Sequence, residues 1–233
     1  MLLLIWGSIK WVSFTGSLNI KNISLIGNNL ISEKEYKSLI NNFLGSPIFS
    51  IDLRNISSIL EKHSYVQGAK VSRVYPNGLY VQLTERKPIA VVNLTPPLLL
   101  DENGMLFPLR GDFSDYEIPV LSHLVPKSNS FIKLNNAPLK SMTSANYILN
   151  LLFENYPDLY KNISELRLNN QEDFEIILLD RPTKVILGKD QFSKKLSVLI
   201  KFNEQLIMHK KNITDFKKLD LRFERQVVVR GWV

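Results

Sequence analysis

The sequence predicts an α+β protein of two domains: an N-terminal β-α-α-β-β unit followed by a mainly antiparallel β domain with two helices. Alternating apolar runs bounded by turn residues predict the strands, and amphipathic segments with capping residues predict the helices. The pattern changes character near Lys87-Pro88. With 233 residues, 45% of them hydrophobic, the chain can bury a core in each domain. We place the domains at residues 18–87 and 88–233, after an N-terminal segment of residues 1–17.

The N-terminal unit carries clear helix and turn signals. Ser32 and Glu35 have the spacing of a capping box, which predicts the start of a first helix. Asp52 can cap a second helix. Tyr75-Pro76-Asn77-Gly78 lies between two alternating runs and predicts a hairpin turn. The predicted strands are residues 20–26, 69–74 and 79–84.

The C-terminal domain contains short apolar runs separated by proline pairs and Asn-Gly turns, which favour successive strands. A helix through Ala145 is predicted to end at Pro157, and Asp190 can cap a second helix. The predicted strands are residues 89–94, 98–100, 105–107, 163–168, 174–179, 184–187, 219–222 and 226–230.

The first 14 residues are mostly apolar but include Lys10. As a helix they would span about 21 Å, less than the ~30 Å hydrocarbon core of a bilayer. Trp6 and Trp11 are residue types that favour the membrane interface. We therefore interpret residues 1–17 as a truncated or short membrane anchor, with an amphipathic or disordered tail as the alternative.

The positive charge of the chain is concentrated at its C-terminal end. Residues 181–233 hold 13 of the 29 Lys and Arg residues but only 5 of the 22 Asp and Glu residues. Such a segment is typical of a solvated face, or of a surface that attracts an acidic partner or an anionic membrane. Nucleic-acid binding would also require a recognition motif or stacking aromatics, which the sequence lacks, so we expect no nucleic-acid partner.

The residues that carry most enzyme chemistry are missing or scattered. The chain has no cysteine, and its three histidines lie in different segments with no carboxylate partner nearby in sequence. It also lacks a phosphate-binding loop and a nucleophile motif. We predict no catalytic residues, no metal, no cofactor and no small-molecule substrate. A hydrolase with paired carboxylates stays open, because such residues need not be close in sequence.

Several motifs occur in a fixed order along residues 20–233. The N-terminal motifs are Ile23-Ser-Leu-Ile-Gly-Asn, Phe49-Ser-Ile-Asp-Leu, Arg73-Val-Tyr-Pro-Asn and Glu85-Arg-Lys-Pro-Ile-Ala. The C-terminal motifs are Leu100-Asp-Glu-Asn-Gly-Met-Leu-Phe, Val185-Ile-Leu-Gly and Leu219-Asp-Leu-Arg-Phe. In this order they resemble the POTRA domain and the following β domain of the FtsQ/DivIB family of cell-division proteins.

The resemblance implies a non-enzymatic scaffold that recruits and couples divisome proteins during septum formation. It also implies a single-pass protein of the inner membrane whose main part is extracytoplasmic (periplasmic). The expected partners are FtsB/FtsL-like proteins, held by addition of a partner strand to the C-terminal edge. The positions carried over for binding are Arg222, Phe223, Arg225, Val229 and Trp232.

The residues themselves leave two alternatives to this interpretation. The run from Val227 to Val229 could simply pack in the core, because alternate residues of an edge strand face inward. POTRA domains also occur in outer-membrane assembly and secretion factors, which would need a barrel of many ~10-residue strands. The two helices predicted after Pro88 disfavour such a factor.

Overall fold

The computed structural model describes residues 18–112, 115–124, 140–224 and 226–232. They form two compact units, which divide between Arg86 and Lys87. The predicted anchor, residues 1–17, lies outside the described residues. Within the described part of the chain, every helix is too short or too polar to cross a bilayer.

The first unit has the predicted β-α-α-β-β order of elements. Its elements are β1 (Asn22–Ile26), α1 (Glu33–Ile40), α2 (Leu53–Glu61), β2 (Val66–Val74) and β3 (Gly78–Glu85). Among the described residues these strands form a three-stranded sheet in the order β1-β3-β2, parallel between β1 and β3 and antiparallel between β3 and β2. Alternate residues of β3, including Leu79 and Val81, are buried together with Tyr36 and Ile56 of the helices. One face of the sheet therefore carries the core.

The caps that the sequence predicts at Ser32 and Asp52 are present in the first unit. Ser32 Oγ accepts a hydrogen bond from Glu35 N at 3.3 Å, and Asp52 Oδ1 accepts one from Arg54 N at 2.9 Å. Gly27, which follows β1, has φ +88°, and a Cβ built there would lie 2.0 Å from the carbonyl oxygen of Leu83. Glycine is required at this turn for both its conformation and its close packing.

The carboxylate of Glu85 joins the end of β3 to the segment before α1. Its Oε2 accepts hydrogen bonds from the backbone N–H groups of Asn29 (2.6 Å) and Leu30 (2.7 Å). Its Oε1 accepts from Ile31 N at 3.1 Å and from the Tyr36 hydroxyl at 2.7 Å. Glu85 is buried, so these charge-assisted bonds replace its hydration. The motif glutamate is thus a structural residue of this unit.

The second unit is built on one large sheet. Its elements are β4 (Pro88–Val92), β5 (Leu98–Asp101), β6 (Leu106–Pro108), β7 (Val120–Ser122), α3 (Lys140–Asn155), α4 (Pro157–Lys161), β8 (Ile163–Leu168), β9 (Phe174–Leu178), β10 (Lys184–Gly188), α5 (Phe192–Met208), β11 (Phe216–Asp220) and β12 (Val228–Gly231). The described strands follow the order β12-β11-β10-β9-β8-β7-β4-β5-β6. Among them, five pairings are antiparallel and three are parallel. The prediction of a mainly antiparallel domain is therefore confirmed, although the sheet is mixed.

The core of the second unit lies between this sheet and its helices. Leu149 and Leu152 of α3 and Leu196 of α5 are fully buried in one apolar cluster with Leu166 of β8. Tyr160 of α4 donates its hydroxyl to the carbonyl oxygen of Ile89 at 2.7 Å. Burial raises the pKa of Tyr160 to about 12, because ionisation would place a charge in the apolar layer.

One helix boundary in this unit differs from the prediction, and so does the number of helices. Pro157 ends α3 as predicted but is also the first residue of α4, because proline suits the first turn of a helix. The described part of this unit therefore has three helices where two were predicted. Asp190 does not cap α5: the N-cap is Gln191, with φ 51°, and its side chain makes no capping bond. Asp190 instead accepts a hydrogen bond from Lys195 Nζ at 3.1 Å.

Candidate functional site

The C-terminal strand β12 lies at one edge of the large sheet, beside β11. The two strands pair antiparallel, with Val229 opposite Leu219 and Val228 opposite Asp220. At the other edge of the described sheet lies β6, which is three residues long and ends at Pro108. The edge formed by β12 carries no proline, so its backbone can offer hydrogen bonds to a further strand.

The direction of the backbone groups in β12 follows from the pairing of β11. Leu221 N donates to Ile186 O in β10 at 2.9 Å, and the backbone groups of alternate residues in a strand point the same way. The backbone N–H and C=O of Leu219 therefore face β10, and those of Asp220 face β12. The pair Asp220–Val228 exchanges hydrogen bonds, whereas the N–H and C=O of Val229 point to the open edge.

The valines before the terminus divide into two environments. Val227 is partly buried and packs against the core, as the core alternative predicts for this run. Val228 and Val229 are 48% and 42% exposed. An edge strand that exposes apolar side chains as well as backbone groups is a surface suited to a partner strand.

Arg222 is held in place by two buried carboxylates that the sequence analysis did not single out. Its guanidinium donates to Asp220 from Nε (2.9 Å to Oδ1) and Nη2 (2.7 Å to Oδ2). Its Nη1 donates to Asp173 Oδ2 at 3.0 Å. About a third of the Arg222 side chain, 34%, stays exposed. The Asp-x-Arg spacing in Leu219-Asp-Leu-Arg places both groups on one face, a signal for the pair that was available in the sequence.

The electrostatics of this cluster favour the charged states of Asp220 and Arg222. Burial pushes the pKa of Asp220 upward, but the hydrogen bonds and charge of Arg222 together outweigh burial and leave this pKa below its ordinary value. The hydrogen bond to Asp220 also raises the pKa of Arg222. The guanidinium is consequently a fixed, oriented positive charge beside the edge.

The aromatic residues predicted for binding lie near the same strand. Phe223 is 53% exposed and lines a small cavity of ≈ 70 Å³ with Lys194 and Val198. Trp232 is 38% exposed, and its indole Nε1 donates to Thr214 O at 3.1 Å. Trp232 is therefore oriented by its own chain while presenting part of its ring. Arg225, the remaining predicted position, lies outside the described residues.

One edge of the first sheet, strand β2, is occupied at its midpoint by side chains of α2. Ser57 Oγ donates to the carbonyl oxygen of Ala69, and Ala69 N donates to Glu61 Oε1 at 3.2 Å. Nearer the hairpin, Arg73 donates from Nε to Ile48 O at 2.8 Å. These contacts within the unit obstruct strand addition at β2.

Paired carboxylates of the kind that a hydrolase needs do occur, but arginines lie between them. Arg222 joins Asp173 to Asp220, and Arg167 joins Glu165 (3.4 Å) to Glu175 (3.3 Å). A general acid needs a raised pKa, whereas that of Asp220 is lowered. These carboxylate pairs therefore do not support the hydrolase alternative.

The histidines add little that could bind a metal. His63, for which the sequence suggested no carboxylate partner, lies 3.3 Å from Glu35. The described residues contain no group of three or more His, Cys, Asp or Glu side chains that could hold a metal ion.

Comparisons with known proteins assign both units. Residues 18–86 match the family described as POTRA domain, FtsQ-type, and residues 87–229 match FtsQ/DivIB, C-terminal related. A protein of Syntrophotalea carbinolica named cell division protein FtsQ is 27% identical over 91% of this chain and 73% of its own length. A protein of the same name from Geotalea daltonii is 24% identical over 97% of this chain and 80% of its own length. The protein of that name in Rickettsia felis is 35% identical over 36% of this chain and 32% of its own length. This chain belongs to the FtsQ/DivIB family of cell-division proteins.

Proposed function

We propose that the chain is a non-enzymatic scaffold of the divisome that recruits and couples FtsB/FtsL-like proteins. Residues 1–17 anchor it in the inner membrane, and the two described units work on the extracytoplasmic side. An outer-membrane assembly or secretion factor is disfavoured, because both family matches are of the FtsQ type and the relatives compared are named cell-division proteins.

The observation that carries the proposal is the outward-facing backbone of Val229 in the edge strand β12. An extended segment of the partner pairs with this strand and completes its hydrogen bonds, as in other complexes formed by strand addition. Lys218 and Arg230 lie opposite each other on β11 and β12, and the surrounding quarter of the chain is basic. The partner segment is therefore acidic as well as extended.

Side chains beside the strand supply specificity. Arg222, oriented by Asp220 and Asp173, offers its exposed part to a partner carboxylate. Phe223 and Trp232 contribute apolar area at the two ends of the edge, and aromatic residues of this kind often dominate interfaces. Arg225 adds a further positive charge to the sequence between Phe223 and β12.

A backbone-specific variant tests this proposal by calorimetry with the full chain and the extracytoplasmic part of an FtsB/FtsL-like complex. Val229→Pro removes the outward N–H, and one hydrogen bond contributes about 0.5–1.5 kcal/mol. We expect affinity to fall by about 2- to 13-fold, or more where the proline ring obstructs the partner strand. Val229→Ala keeps the N–H and is the matched control, with an affinity within about threefold of the parent.

The far-ultraviolet circular dichroism of both variants shows whether the domain stays folded. A folded Val229→Pro variant that binds as tightly as Val229→Ala would contradict strand addition. Truncation after Phe223 is a stronger form of the test, because it removes β12 altogether. A folded truncated chain with unchanged affinity would place the binding site elsewhere.

A further inference from the structure

The chain enters the first unit at the same end as the tip of the β2–β3 hairpin. Ile48 N donates to Leu18 O at 2.9 Å, and Lys21 N donates to Asn77 O at 2.9 Å. The first described residues, the 46–51 loop and the hairpin turn thus meet at one end of the unit. Residues 1–17 immediately precede this end.

Three exposed apolar side chains lie at this end, and we call them the aromatic tip: Phe49, Val74 and Tyr75. They are 63%, 51% and 61% exposed. The rings of Phe49 and Tyr75 pack on each other with centroids 5.5 Å apart and an interplanar angle of 33°. A contiguous exposed group of this kind marks a surface that contacts something else.

The charges of the first unit are distributed unevenly between its two ends. Within residues 18–86, Asp52 at the start of α2 is the one acidic residue near the aromatic tip. Lys21 and Arg54 are exposed at this end. The other acidic residues lie at the opposite end of the unit, at the start of α1, the end of α2 and the end of β3: Glu33, Glu35, Glu61 and Glu85. The tip end can therefore approach an anionic surface without strong repulsion.

We propose that the aromatic tip rests in the lipid headgroup layer of the membrane that residues 1–17 enter. Residues 1–14 are mostly apolar, and the four residues from there to Leu18 reach at most about 14 Å. The tip is thus held close to the bilayer surface. Tyrosine and phenylalanine beside basic residues have the chemistry that the interface of an anionic bilayer favours. This inference rests on the proposed membrane anchoring.

The absence of cysteine from the chain allows a direct test with single labels. Ser50→Cys places an environment-sensitive fluorophore beside Phe49, and Ser64→Cys places it on an exposed serine at the opposite end of the unit. Each labelled full chain is reconstituted into vesicles of phosphatidylethanolamine and phosphatidylglycerol, with or without lipids that carry a quencher at the headgroup. We expect a blue shift and strong quenching at position 50, and neither effect at position 64.

A second variant tests whether the aromatic tip causes the contact. Phe49→Ser with Tyr75→Ser, made in the Ser50→Cys chain, should lose most of the blue shift and the quenching. Equal signals at positions 50 and 64 would overturn the inference. So would a blue shift that depends on protein concentration and is insensitive to lipid quencher, because that result indicates a second copy of the chain at the tip.

Co-flotation of the unlabelled chain with vesicles separates this inference from the proposed function. Flotation without quenching at position 50 would overturn the aromatic-tip contact and leave the anchor intact. Failure to float would overturn both the anchor and the contact. Partner binding at β12, measured separately by calorimetry, is independent of either outcome.

Discussion

Replacing Glu85 with Gln should destabilise the first unit strongly, although the two side chains have nearly the same size and shape. Glu85 offers one oxygen to the N–H groups of Asn29 and Leu30 and the other to Ile31 N and the Tyr36 hydroxyl. Glutamine has one carbonyl oxygen, so its NH₂ group must face two of these donors. A donor left without an acceptor costs about 1–3 kcal/mol when it is buried. The two donors at Oε2 are only partly buried, so we expect a total cost of about 2 kcal/mol.

Urea unfolding followed through backbone NMR signals of residues 18–86 measures this free energy. The matched control is Glu33→Gln, because Glu33 is exposed and pairs with Lys37 at 2.6 Å along the same helix. Such a pair contributes little, so the control should change stability by about 0.5 kcal/mol or less. If Glu85→Gln costs no more than this control, the bonds of Glu85 do not stabilise the unit as argued.

Three further predictions concern stability. Gly27→Ala combines a positive φ with a Cβ 2.0 Å from Leu83 O and should cost at least about 2 kcal/mol in urea unfolding, whereas Gly68→Ala, with open space around it, should cost far less. Asp220 has a lowered pKa in the folded chain, so its contribution to the free energy of unfolding is fully present above its ordinary pKa of 3.8 and is lost as the pH falls through its pKa in the folded chain. In Asp220→Asn, the free energy of unfolding should therefore fall less over this pH range in an acid unfolding experiment. Tyr160 has a raised pKa, so stability should decline as the pH rises from 10 to about 12, and this decline should be absent in Tyr160→Phe.

Signals that act over a few residues predicted the fold well. The cap at Ser32, the cap at Asp52 and the hairpin turn at 75–78 each depend on neighbours in sequence, and the structure contains all three. The prediction that Asp190 caps α5 was wrong, because Asp190 pairs with Lys195 in the first turn of that helix instead. Pro157 ends α3 as predicted, but the prediction missed α4, because a proline that ends one helix is equally suited to begin the next.

Features that depend on distant residues could not be predicted. The order of strands, with β4 beside β7 and β10 beside β11, joins segments far apart in sequence. The partners of Arg222 include Asp173, 49 residues away, and those of Glu85 lie 49 to 56 residues away. The sequence therefore indicated which residues form the C-terminal edge but not that Arg222 is oriented by buried carboxylates, nor which backbone groups of β12 face outward.

Amide hydrogen exchange at β12, with and without an FtsB/FtsL-like partner, tests strand addition most directly. The N–H of Val228 is bonded to Asp220 in the free chain, whereas that of Val229 faces the open edge. Val229 should therefore exchange quickly in the free chain and become protected when the partner is bound at saturation, and Val228 should be protected in both states. Unchanged fast exchange of Val229 in the saturated complex would contradict a partner strand at this edge.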